Sequence, residues 1–324
     1  MFAKVSINIT VMNKLNILVI GGSGYIGSVL VEKLLKQQHD ITVIDNLYFN
    51  QSSLFHLCHY NNFKFILGDI RDKTLIKTEV NKNDVIIPLA ALVGAPACAK
   101  DPALANEVNY ESIRYINSIK SDGQLIIMPV TNSGYGSKDN NIYCDENTPL
   151  EPISEYGVSK MQAEEVILSK NNAVSLRLAT VFGMSSRMRF DLLVNHFVYT
   201  AINDSYIVIF EKDFKRNFVH VRDVADAFIH VINNSKKMSG NAYNLGLNNA
   251  NISKKELAIL IKNKIPNFYI HYSDIDNDPD KRNYIVSNEK IKNTGFEAKI
   301  QLSDGIDELI TGIKMIGRNK YKNV

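Results

Sequence analysis

Short apolar runs that stop at polar or glycine positions alternate along this chain with longer stretches whose apolar residues recur every three to four positions. The run NILVI at 16–20 has the continuous apolar character of a strand buried on both faces, and it ends in a glycine cluster. A helical period follows over 25–36, with Ile26, Val29, Leu30 and Leu34 on one face. The pattern then predicts strands at 40–44, 63–67, 84–90, 124–130 and 174–179. Helices are predicted at 102–120 and 156–169, with a helix-like segment at 51–59. Strands that alternate with helices at this spacing make an α/β fold, a Rossmann-type doubly wound parallel sheet with right-handed crossovers. Beyond position 183 the alternation loosens into strands near 206–210 and 217–221 and helices near 224–231 and 254–261. The predicted organisation is a dinucleotide-binding domain over 12–180 and a smaller α/β domain over 181–324 that is mainly substrate-binding. Residues 1–11 form an N-terminal extension.

Composition narrows the function without naming it. The apolar and charged fractions of the 324 residues are those of an ordinary soluble protein. A net charge of +3, with its basic residues scattered, leaves no footprint for nucleic acid. Cys58, Cys98 and Cys144 form no CxxC pair and fit neither a zinc site nor a disulfide framework, so no metal is expected and the thiols read as reduced and cytoplasmic. No apolar run reaches the length of a membrane span, and the first eleven residues lack the long apolar core of a signal peptide.

Candidate chemistry begins at Gly21-Gly22-Ser23-Gly24-Tyr25-Ile26-Gly27, where the first strand turns into the first helix. Gly21, Gly24 and Gly27 supply a tight turn, close backbone approach to a pyrophosphate, and close helix–strand contact; the helix N-terminus then stabilises the anion. Asp45 stands 18 positions after Gly27, at the end of the second strand, where a carboxylate accepts hydrogen bonds from the adenosine ribose. A carboxylate there repels a 2′-phosphate, so the expected cofactor is NAD rather than NADP. Asp69, which ends the third strand, is placed to reach the adenine amine.

Tyr156 and Lys160 lie four apart at the start of a predicted helix and share a face. A free phenol titrates near pH 10, but a neighbouring ammonium and the positive nicotinamide of bound NAD favour phenolate. Such a tyrosinate takes a proton from a substrate hydroxyl while carbon gives up hydride. Tyr60 and Lys64 share the spacing but lie ahead of the third strand, away from the carboxyl edge of the sheet where these folds bind ligands. Thr131, at the end of the fifth strand, has a hydroxyl placed to bridge substrate oxygen and Tyr156.

With these residues assembled, the chain resembles the extended short-chain dehydrogenase/reductases, the NAD-dependent epimerase/dehydratases of sugar nucleotides. The resemblance covers about 12–316 through VIGGSGYIGS, VIDN, GDIRD, PLAALVG, TNSGYG, ENTPLEPISEYGVSK, RNFVHVRDVADAF and YNLG. It implies that Thr131, Tyr156 and Lys160 are a catalytic trio, with Lys160 also gripping the nicotinamide ribose. It further implies that Tyr25, Ile26, Asn46, Ile70, Leu89, Ala90, Ala91 and Asn109 border the cofactor. Arg216 and Arg282 match positions that hold the substrate's pyrophosphate, a role suited to bidentate guanidinium. Surface ion pairs are expected instead for Arg187, Arg189 and Arg222.

Departures from the family pattern restrict the reaction. The 4,6-dehydratases place Asp-Glu directly after the threonine, and the decarboxylases need glutamate at the second of those positions. Here Asn132 and Ser133 stand there, facing the substrate with no group that donates and accepts protons near neutral pH. The cysteine of the 3,5-epimerases is also missing from this loop. Redox at C4 survives. Thr180 replaces a common asparagine on the substrate's phosphate side. Within the family, PLAALVGAP, VTNSGYG, RLATVFGMSSRMRFDLLVNHF and DPDKRNYIVSN most resemble bacterial enzymes that oxidise C4 of a GDP-linked manno-heptose (GDP-D-glycero-D-manno-heptose 4-dehydrogenases) for capsule sugars. The expectation is a C4 dehydrogenase acting on a GDP- or UDP-linked sugar. The alternative is a 4-epimerase, and from another class a non-catalytic NAD-sensing scaffold. The resemblance also implies a homodimer built on the helices at 102–120 and 156–169.

Overall fold

The computed structural model describes residues 14–138, 142–273 and 282–316. The expected extension at 1–11 therefore lies outside the described residues, as does Asp278 to Lys281 of the heptose-enzyme motif. Seven strands form one sheet: β1 (Asn16–Ile20), β2 (Asp40–Asp45), β3 (Phe63–Leu67), β4 (Val85–Pro88), β5 (Leu125–Thr131), β6 (Ala173–Leu178) and β7 (Asn241–Leu245). Their order is β7-β6-β5-β4-β1-β2-β3, and every pairing is parallel. The chain runs outward from β1 to β3, then returns to the other side of β1 at β4. That reversal opens a crevice beyond the carboxyl ends of β1 and β4.

Alternation along β1 shows why its sequence is apolar throughout. Ile17 and Val19 join the core on one face, Leu18 and Ile20 the core on the other. Helices α1 (Tyr25–Lys36) and α6 (Val221–Asn233) cover the first face. Helices α2 (Lys73–Val80), α3 (Ser112–Ile119) and α4 (Glu155–Leu168) cover the second. The remaining long helices α5 (Leu193–Asn203), α7 (Lys254–Lys264) and α8 (Leu302–Ile316) pack into the same core as α1, so one hydrophobic cluster runs through both halves of the chain. Among the described residues four short strand pairs lie outside the sheet, among them Thr180–Phe182 beside Phe218–His220, and Tyr143–Cys144 beside Ile285–Val286.

Several elements differ from the pattern-based expectation, and helices α2, α5 and α8 are additions to it. The segment 51–59 is irregular apart from a single 3-10 turn at Phe55–Leu57: Leu54 and Leu57 pack inward while Phe55 is 76% exposed, so one turn satisfies its apolar residues. The helix expected at 102–120 is broken into Pro102–Asn106, a π-helical turn at Glu107–Glu111, and α3. The seventh strand comes from beyond position 180. Its short sequence NAYNL hides a strand because Asn244, fully buried, is paired to the carbonyls of Cys144 and Ser287.

Candidate active site

The glycine turn is held at the crevice by contacts that leave no space for larger residues. Gly21 has φ of +84°, and its N–H donates to the Ile44 carbonyl at 2.7 Å. A Cβ on Gly21 would sit 2.4 Å from the Ala90 nitrogen, and one on Gly27 would sit 2.5 Å from the Gly22 oxygen. A Cβ on Gly24 would meet only the Gly21 oxygen, at 3.2 Å, so this glycine faces open space at the start of α1. Tyr25 turns away from that space: its buried hydroxyl donates to the Gly183 carbonyl at 2.7 Å. Ile26 packs against the first core.

At the end of β2, the buried Asp45 carboxylate accepts from the N–H groups of Ser23 and Leu47, both at 2.9 Å. Burial pushes its carboxyl up and these two amides pull it back. Asn46 donates to Asp69 at 3.0 Å, and Arg71 clamps the same carboxylate at 2.9 Å, holding Asp69 down at about 2. Ile70 is buried in the second core.

Leu89 and Ala90 both direct their N–H groups to the Ile20 carbonyl, which fixes the loop after β4 against β1. Leu89, Ala90 and Ala91 are half-buried along the crevice. Asn109 holds the next part of this loop. It accepts from the Leu92 N–H at 2.8 Å and donates to the Leu92 carbonyl at 2.9 Å, from the π-helical turn. Such turns insert one residue into a helix and rotate its face, and they recur at functional sites.

Thr131 ends β5, the half-buried Tyr156 lies in the first turn of α4, and Lys160 is one turn further on. The Thr131 hydroxyl caps the following 3-10 turn by accepting from the Ser133 N–H at 3.1 Å, and it shares a 2.7 Å hydrogen bond with the Ser133 hydroxyl. Asn132 is fully buried, and neither of its amide atoms has a partner among the described residues. Burial pushes the Tyr156 phenol up to about 12, against the pull of Arg189 and Arg282. Burial also pushes the Lys160 ammonium down to about 8, with Glu164 opposing. Lys160 is 3% exposed, and its ammonium has no hydrogen bond or ion pair among the described residues. Glu164 is engaged elsewhere, with the Arg177 guanidinium at 2.7 Å and the Ser175 hydroxyl at 2.5 Å.

The arginines divide differently from the sequence-based expectation. Arg222 is the surface residue of the three set aside, with a side chain 48% exposed and paired to Glu308. Arg187 is 6% exposed, and its guanidinium stacks over the Phe49 ring at 4.5 Å. The Arg189 side chain is 13% exposed and pairs with Asp191 beside Tyr156. Nothing in their spacing marks these two as buried, because the loop at 183–191 has no period; the signal available was two arginines within a short apolar stretch. Arg216 is buried over the Tyr284 ring at 5.5 Å, and Arg282 donates to the Ser133 hydroxyl, within reach of Thr131. Thr180 pairs through its backbone with Asn217, 3.0 Å away.

A model of the NAD dependent epimerase/dehydratase family matches residues 17–246, well over half of the chain. The chain belongs to that family. A putative UDP-glucose 4-epimerase of Methanocaldococcus jannaschii is 27% identical over 92% of this chain and 98% of its own length. The CDP-paratose 2-epimerase of Salmonella typhi is 26% identical over 91% and 98%. Among solved structures, Pal from Bacillus thuringiensis superposes with a TM-score of 0.83 at 24% identity, covering 93% of this chain and all of that one. The UDP-glucose 4-epimerase of Thermotoga maritima, solved with UDP-glucose, gives 0.81 at 24% identity over 93% and 99%.

As an NAD-dependent epimerase/dehydratase, the chain is an enzyme of nucleotide-sugar chemistry, and its crevice fits the cofactor. The open face of Gly24 leaves backbone N–H groups at a helix N-terminus accessible to a pyrophosphate. The buried, unpartnered ammonium of Lys160 matches a diol that is to be gripped.

Proposed function

We propose that this enzyme is an NAD-dependent oxidoreductase acting on the C4 hydroxyl of a nucleotide-activated sugar. The observation that carries the reading is the loop after β5: Thr131 opens it, Tyr156 and Lys160 stand on the facing helix, and Asn132 and Ser133 replace the acidic pair an elimination needs. NAD, when bound, supplies the hydride acceptor and a positive charge beside the phenol. Gly21, Gly24 and Gly27 cradle it, the loop 89–91 borders it, Asp45 takes its adenosine ribose, and Lys160 takes the second ribose. Tyr156 removes the C4 hydroxyl proton. Thr131 and Ser133, sharing their hydrogen bond, orient that hydroxyl. Arg216 and Arg282 hold the substrate diphosphate, a task for which guanidinium is suited.

The substrate we favour is a GDP-linked heptose or hexose, oxidised to a 4-keto sugar for surface polysaccharide. A second reading, 4-epimerisation, is favoured by the full-length similarity to the Methanocaldococcus protein. We also propose a cytoplasmic homodimer. Ile113, Ile116 and Ile167 of the proposed interface helices are buried in the monomer's own core, so contact falls to outward residues such as Val158.

Incubation with GDP-heptose, GDP-mannose, UDP-glucose and UDP-N-acetylglucosamine, following NADH absorbance and sugar products, tests the reading. A 4-keto product with stoichiometric NADH is expected. A C4-inverted product with no accumulated NADH replaces dehydrogenation by epimerisation, and no turnover on any of the four sugars overturns the proposed GDP- or UDP-linked substrate. Tyr156→Phe should lower kcat by about a thousandfold while leaving NAD affinity within threefold, as expected for removal of a general base.

A further inference from the structure

The residues at 183–191 are tied across the first turn of α1. The Gly183 carbonyl accepts from the Tyr25 hydroxyl, and the Ser185 hydroxyl donates to the Tyr25 carbonyl and lies 2.8 Å from the Ser28 hydroxyl. Asn195 of α5 braces the same segment: its amide oxygen accepts from the Gly183 N–H, and its NH2 donates to the Tyr25 hydroxyl and the Arg189 carbonyl. From the other side, Glu308 of α8 accepts from the Met184 N–H at 2.9 Å. The segment is therefore fixed from three helices, and it carries two guanidiniums into the groove. Arg187 lies over Phe49 on the Asp45 side, and Arg189, oriented by Asp191, lies beside Tyr25 and Tyr156. Burial first, and then the neighbouring Arg189, hold the Arg187 guanidinium below the ordinary arginine range, with Asp191 and Asp45 opposing. Like charges held together in a half-dry site favour an anion between them. Neither the glycine turn GGSGYIG nor the loop LAALV at 89–93 contains a cation, so a dianion lying there has no other side-chain countercharge from those two segments.

We propose that residues 183–191 are a strap over the cofactor groove, in which Arg187 and Arg189 together bind the pyrophosphate of the dinucleotide lying on the glycine turn. The substrate diphosphate is assigned to other residues: Arg216 lies over Tyr284, and Arg282 donates to Ser133. The inference rests on the reading that NAD occupies the glycine turn.

Calorimetric titration with NAD and with ADP-ribose, which keeps the pyrophosphate and lacks nicotinamide, separates the possibilities. R187A and R189Q are each expected to weaken both ligands by about 10- to 100-fold, with a shallower salt dependence than the wild type. R187K, which keeps the charge and loses the planar fork, should fall between. Unchanged melting temperature without ligand identifies variants that fold; R187K and R189Q serve if R187A does not. Affinities for NAD and ADP-ribose within threefold of wild type, with only the nucleotide-sugar KM raised, would overturn the strap and turn these arginines toward substrate. A wild type that binds neither ligand would overturn the NAD reading itself.

Discussion

Gly21 and Gly24 belong to one motif yet meet different constraints. A Cβ at Gly21 collides with the backbone of Ala90 and strains a positive φ, whereas one at Gly24 meets a single carbonyl, a few tenths of an ångström inside ordinary contact. Gly21→Ala should therefore abolish detectable NAD binding and lower the melting temperature, while Gly24→Ala should keep the fold and weaken NAD by roughly tenfold through crowding of the pyrophosphate. Equilibrium titration with thermal melts checks both. Lys160 carries the second residue-scale prediction. Its pKa in the folded chain is about 8 against an ordinary 10.5, so the folded form holds fewer protons between those values. Stability without cofactor should rise as pH climbs from 8 to 10.5, and the burial cost is full below 8. Lys160→Met should raise the melting temperature at pH 7 by roughly 3–6 °C, a gain that disappears above pH 10.5. These positions were legible in the sequence because turn chemistry and helical spacing are local. Arg187 and Arg189 were not, since only the packing of a period-free loop buries the first and half-buries the second.

At the scale of elements, β1 to β6 lay close to the boundaries their apolar runs predict; for all but β3, an edge strand with Leu67 68% exposed, the cause is that a strand covered on both faces has little freedom in composition. The broken helix at 102–120 shows where that reasoning ends. Its apolar period is continuous enough to read as one element, and nothing in ANEVNYESI announces an inserted residue. The π-turn is fixed by a tertiary partner, the loop after β4, to which Asn109 makes two backbone hydrogen bonds. Asn109→Ala leaves the half-buried Leu92 N–H unpaired and its carbonyl with only the Cys98 thiol, and we expect a loss of about 1–3 kcal/mol in stability. NAD binding should weaken as well, as the loop 89–92 loosens. Urea unfolding and titration measure the two effects separately. If stability falls with no change in NAD affinity, the turn supports the fold alone.

The whole molecule is joined by polar contacts that cross between its halves. Arg177 on β6 pairs with Glu164 on α4 and donates to the Tyr135 hydroxyl at 3.1 Å; Tyr135 in turn lies 2.7 Å from the Asn244 side chain on β7. Helix α4, the loop after β5 and the last strand are thereby held in one buried network. Removing one member of a buried ion pair strands its partner's charge, so Arg177→Met should destabilise by about 3–5 kcal/mol in urea. Adding Glu164→Gln should restore a good part of that loss. An unchanged urea midpoint in the single variant would show that the pair is dispensable.

The place of β7 has a consequence for how the chain is made. All six residues of β6 are buried, and its outer edge is covered by a strand that leaves the ribosome more than sixty residues later. Until then, a finished row of backbone donors and acceptors lies open beside an apolar surface, the circumstance that invites pairing with a neighbouring nascent chain. Synthesis through α5 and α6 is thus a window of exposure. In a protein with this topology the sheet closes only when its last strand has been made.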